Sequence, residues 1–137
     1  MKPAEALHRL RVAANGAGCL FINPPPGVPW EAACHAVARA CHLSRPTRFN
    51  ASRLPVAVAA AVNAAEAVDG MARASACPLD RAVIHAPAVY LREAAAVARA
   101  CLAPGDSALA EAARLAALDS AAALAAARAA SEGGRHA

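Results

Sequence analysis

A chain of 137 residues that contains 45 alanines and only four Phe, Tyr or Trp side chains has the length of one domain and a strong local preference for helix. Alanine buries little area, so the core has to be thin, with helices approaching on small side chains, and self-association is one way such a fold gains stability. The formal net charge of +4 and isoelectric point near 9.1 are compatible with an acidic partner but single none out.

Pro3 fits the first turn of a helix over residues 3–14, with Leu7, Leu10 and Ala14 on one face, and Asn15-Gly16-Ala17-Gly18 ends it. Cys19-Leu20-Phe21-Ile22 is the one β-like run. With no second strand to pair with, it is expected as an extended arm, followed by a polyproline-type turn at Asn23-Pro24-Pro25-Pro26-Gly27. A second helix opens at Val28-Pro29-Trp30-Glu31 and places Trp30, Ala33, Cys34, Val37, Ala38 and Cys41 on one face. Trp30 is expected to be the largest single contributor to the core.

A third helix starts near Ser52 or Leu54, accommodates Pro55 in its first turn and continues to about Ala76, with Leu54, Val58, Val62, Ala65 and Val68 or Met71 as its stripe. Residues 80–86 read as a short helical piece before Pro87, and residues 88–102 as a fourth long helix burying Leu91, Ala94 or Ala95, Ala98 and Cys101. After a turn over 103–107, the last helix runs from Ala108 to about Ser131. It is expected to bury Leu115, Leu118, Ala122 and Ala125, and the Gly133-Gly134 tail to fray.

These elements predict an all-α fold in a single domain. It is a bundle of four main helices in two consecutive hairpins, residues 30–76 and 77–131. A short N-terminal helix and an extended Pro-rich arm (1–29) precede them, and a frayed tail (132–137) follows. Ala36-Val37-Ala38-Arg39-Ala40-Cys41 recurs as Ala96-Val97-Ala98-Arg99-Ala100-Cys101, and at the same offset Trp30 aligns with Tyr90. This is the pattern left either by duplication of a hairpin or by coincidence in an alanine-rich chain.

Cys34-His35 and Cys41-His42 suggest a metal site, but geometry opposes it. Residues seven apart on a helix are separated by about 10.5 Å, and adjacent side chains diverge by about 100°. The cysteines and histidines define no nucleophile pair, the acids no acid/base arrangement, and there is no Gly-rich phosphate loop. No catalytic residue, cofactor or small-molecule substrate is therefore expected. Five cysteines without a CxxC pair predict reduced, buried thiols in a cytoplasmic protein. Glu5, His8, Arg9 and Arg11 interrupt any secretory signal, and the longest uncharged apolar run, residues 54–65, is too short to cross a bilayer, so no membrane contact is expected.

Between Glu31 and Glu66 there is no Asp or Glu, while Arg39, Arg45, Arg48 and Arg53 fall inside that window. Residues 37–47, Val-Ala-Arg-Ala-Cys-His-Leu-Ser-Arg-Pro-Thr, resemble the helix-turn-helix core of bacterial repressor-type DNA-binding proteins. The resemblance, taken over residues 37–53, implies a recognition helix over residues 44–52, with Arg45, Thr47 and Arg48 approaching bases or phosphates. His42 stands where such motifs place Gly, and Arg48 where they bury an aliphatic residue. Residues 20–76 are also similar to small bacterial helical domains without an assigned function.

The function expected from these readings is a non-catalytic interaction or regulatory protein. It would present helical surface to a protein partner, or to a second copy through its alanine-rich C-terminal helix. The alternative is a helix-turn-helix DNA-binding regulator. The candidate contacts for nucleic acid or an acidic partner are Arg39, Ser44, Arg45, Thr47, Arg48 and Arg53.

Overall fold

Alanine-rich segments separated by proline and glycine can be expected to fold into helices that stop where the backbone donor is lost, and the chain does so with informative exceptions. The computed structural model describes residues 1–47 and 53–136, with side chains to residue 133. It contains five α-helices: α1 Pro3–Gly18, α2 Glu31–Leu43, α3 Leu54–Ala74, α4 Pro78–Leu102 and α5 Ser107–His136. A short 3-10 turn, Cys19–Phe21, follows α1, and there is no strand among the described residues. Pro3, Pro55 and Pro78 each sit in the first turn of a helix, where the missing N–H costs nothing.

Helix α4 is the centre of the molecule: α1, α3 and α5 all pack along it, and α2 lies against α1 and α3. The largest fully enclosed side chains are Leu10, Val37, Leu54, Val68, Ile84 and Leu91, one or two from each of α1 to α4. Alanines such as Ala6, Ala14, Ala64, Ala65, Ala88 and Ala98 fill the space between them. The all-helical expectation holds: five helices pack together, with α1, α3 and α5 along α4 and α2 against α1 and α3.

Several boundaries move for physical reasons. Helix α1 continues through Gly16 to Gly18 because Ala13, Ala14 and Ala17 keep its buried face on the core. That packing outweighs the roughly 1 kcal/mol that each glycine costs in a helix. The extended arm is instead the 3-10 turn, and Phe21 packs against Trp30 with ring centroids 6.5 Å apart. Trp30 caps the start of α2, half-buried, and is not the principal core residue. On α2 the inward positions are Ala33, Val37 and Ala40, while Ala38 is exposed. Pro26-Gly27 makes the turn before it, with Gly27 at φ 78°, where a Cβ would be strained.

The predicted break at Pro87 is absent: residues 78–102 form one helix with Pro87 inside it. An interior proline costs about 3 kcal/mol. Ile84, Ala88, Leu91, Ala95 and Ala98 form one buried face that runs past it, and that burial holds the two halves in line. The hexapeptide repeat does not occupy equal positions in the packing. Val37 is buried and Ala38 exposed in α2, whereas Val97 is half-buried and Ala98 fully enclosed in α4.

Helix α3 is long and apolar enough to cross a membrane, with a mean hydropathy of 1.3 over its most apolar window. Eleven of its 21 residues are buried, against α1, α2 and α4, so its apolar character is used in the core.

Candidate interaction surface

Asp106 starts α5 by accepting hydrogen bonds at one carboxylate oxygen from the backbone N–H groups of Ala108 (3.0 Å) and Leu109 (3.1 Å). Once nucleated, the alanine-rich sequence propagates, and α5 runs through Gly133 and Gly134 to His136. Its side toward α4 is a row at three- and four-residue spacing that begins at the half-buried Leu109 and continues with small residues: Ala113, Ala116, Ser120, Ala123, Ala127 and Ala130. Beyond Leu109, small side chains let the two helices approach closely.

The expected burial of α5 is therefore reversed. Leu115 is 47% exposed and Leu118 57% exposed, with Ala122 and Ala125 beside them, while Leu124 is exposed on the other flank. Among the described side chains of α5 only Ala130 is buried. The row that is richest in leucine is the natural guess for the inward face. The row that packs on α4 is instead made mostly of alanine, with Leu109 at its start as its single leucine. The protein's accessible surface, 7704 Å², exceeds the roughly 6,600 Å² expected of a folded monomer of this mass.

Placing α5 along one side of α4 leaves a groove on each flank. The larger, about 880 Å³, lies between α4, α5 and one residue of α3, Val62. Its floor is apolar, formed by Val89, Ala95, Ala96 and Ala116 among others. His85, Arg92 and Arg99 line its α4 side at seven-residue intervals, so they lie on one face about 10.5 Å apart. Leu115 and Asp119 line the α5 side. The second groove, about 370 Å³, has Pro87, Tyr90 and Leu124 among its lining residues and is closed at one edge by α1.

One charged network stabilises the α3 side of the larger groove. The Asp69 carboxylate, only 11% exposed, accepts from His85 Nδ1 at 2.7 Å and from Arg92 Nη1. Arg92 also reaches Glu66 at 3.4 Å, and Glu66 meets Arg73 at the same distance. A carboxylate this far from water needs such partners, and no buried side-chain polar atom among the described residues lacks one. On the outer side of α5, Arg114 donates to both Glu111 oxygens, at 2.9 and 2.6 Å, which lowers that carboxyl below its ordinary range.

Of the residues expected to contact nucleic acid, Arg39, Ser44, Arg45, Thr47 and Arg53 are described. Ser44 and Arg45 form a turn and a bend, the Thr47 backbone N–H donates to the Arg45 carbonyl at 2.8 Å, and residues 48–52 of the expected recognition helix, Arg48 among them, lie outside the described residues. Ser44 is 2% exposed and faces inward, its Oγ donating to the Ala40 carbonyl at 2.7 Å at the end of α2. It is therefore unavailable to a phosphate. Arg39 is exposed on α2, Arg45 and Thr47 are exposed after the turn, and Arg53 is exposed just before α3.

All five cysteines are free and none is buried: Cys19 and Cys77 are exposed, the other three half-covered. Cys41 and Cys101 pack against the edge of the core. The Cys41 thiol is pushed above its usual pKa by partial burial, against the opposing pull of Arg11 and Arg45. Among the described residues no three His, Cys, Asp or Glu side chains gather as metal ligands.

The sequence reading missed the Asp69–His85–Arg92 network and the groove beside it. A signal was present in the seven-residue spacing of His85, Arg92 and Arg99. The supposed break at Pro87 divided that row between two helices and concealed it. No protein-family model matches this sequence, and no curated protein or solved structure matches it.

Proposed function

We propose that this protein is a non-catalytic interaction module whose working surface is the outward side of α5, and that it self-associates through that surface. One observation carries the reading. A 30-residue helix packs on the body mostly with small residues and leaves three of its four leucines exposed, Leu115 and Leu118 together on one side. Scattered single leucines on a surface need no explanation, but a leucine–alanine row along one side of a terminal helix is a surface suited to a partner helix.

Covering the exposed half of each leucine contributes about 1 kcal/mol. Four such side chains in a symmetric pair, with the alanines between them, offset a good part of the cost of association. The test is the molar mass by light scattering across a concentration series, for the wild-type chain and for Leu115→Glu/Leu118→Glu. The proposal expects a wild-type mass that rises toward twice that of the chain, and a variant that stays monomeric with its helical content intact. A wild-type chain that remains monomeric up to hundreds of micromolar would refute it.

A further inference from the structure

We infer that the 880 Å³ groove receives α5 of a second copy of this chain, in a two-fold pairing that brings Asp119 of each protomer to Arg99 of the other. The inference rests on the reading of α5 as the self-association surface and adds where the partner helix lies and what holds it there.

The charges of the groove point to the occupant. His85 and Arg92 already have carboxylates within the chain, from Asp69 and Glu66. Arg99 and Asp119 line the same groove, both exposed, and neither forms an ion pair with any described residue. An acidic ligand or a foreign acidic helix would satisfy Arg99 but would meet Asp119 across the groove. A basic one would have the reverse conflict. An occupant that carries one acid and one base in the same arrangement as the groove satisfies both, and a second copy is that occupant.

Symmetry and spacing agree with this. In a two-fold pairing the same patch serves as donor and acceptor, so one α5–groove contact is made twice. Leu115 and Asp119 are one four-residue step apart along α5, on the side that borders the groove. Since α5 runs antiparallel to α4, a register that sets Leu115 beside the partner's Leu115 puts the partner's Asp119 level with Arg99. Leu115, 47% exposed in the single chain, becomes the centre of the interface.

The test is a charge-reversal cycle on the full chain, read by sedimentation equilibrium at low and at 0.5 M salt. Arg99→Asp and Asp119→Arg are each expected to weaken association roughly tenfold, because each leaves two like-charged contacts per dimer. The double variant, with the charges exchanged, is expected to recover most of the wild-type affinity, and the wild-type dimer to weaken with salt. Circular dichroism melts of the dilute chains check that the variants remain folded, which both exposed positions should permit. If the wild-type chain associates and Leu115→Glu/Leu118→Glu abolishes this, while both single reversals and the double match wild type, the groove placement is overturned and self-association through α5 stands. A wild-type chain that never associates overturns both.

Discussion

Helices α3 and α5 have similar composition and opposite fates. Both are alanine-rich and carry a few large aliphatic residues at helical spacing. Eleven of the 21 residues of α3 are buried, Leu54 among them at 1% exposure. In the longer α5 the described side chains include one buried residue, Ala130, and Leu118 is 57% exposed. The difference is in the number of neighbours. Helix α3 is held between α1, α2 and α4, whereas α5 packs principally on α4. A helix with one neighbour can bury only one narrow row, and here the closest approach is made by the smallest side chains.

The sharpest way to break this comparison is to make the same substitution in both helices. Leu54→Ala should cost about 3 kcal/mol in urea unfolding, because it leaves a cavity in a packed interior. Leu118→Ala, measured in dilute solution, should stay within about 0.5 kcal/mol of wild type. Equal losses would mean that α5 is far better buried than its exposure indicates. Next in size is the junction of α3 with α4. Removing Asp69 by Asp69→Asn leaves Arg92 and His85 without their shared carboxylate and should destabilise by about 2 kcal/mol. Removing the fully exposed Glu111–Arg114 pair on α5 should leave unfolding unchanged.

A smaller effect distinguishes the two sides of α5. Ala123→Leu adds bulk to the row against α4 and should cost about 1–2 kcal/mol, while Ala125→Leu on the outward side should cost nothing in the dilute chain. Similar effects at the two positions would contradict the assignment of the packing face. The mildest test changes no residue. Native-state hydrogen exchange should show slower amides along the middle of α3 than along the middle of α5, since a helix held on one side opens more readily.

Much of the fold was legible because it depends on local chemistry. Pro55 marked the first turn of α3, the turn over 103–107 marked the start of α5, and the Leu54, Val58, Ala65 and Val68 stripe was readable from periodicity. What was not legible depends on tertiary packing. Pro87 sits inside α4 because a buried face continues past it, and the Gly16–Gly18 segment remains helical because Ala13, Ala14 and Ala17 are held on the core. In α5 the leucines marked the more hydrophobic row, but the fit to α4 was set by close approach, which hydrophobicity does not report. The groove was not legible: it draws its arginines from α4 and its acid from α5, elements whose contact no spacing along the chain reveals.

The central claim is that the outward side of α5 is unsatisfied in the single chain. The most direct test is the thermal midpoint as a function of protein concentration, for wild type and for Leu115→Glu/Leu118→Glu. Association that occurs only in the folded state raises the midpoint with concentration. The wild-type midpoint should climb steadily from low to high micromolar protein, while that of the double variant stays flat. A wild-type midpoint as flat as the variant's, with both chains monomeric throughout, would contradict the account.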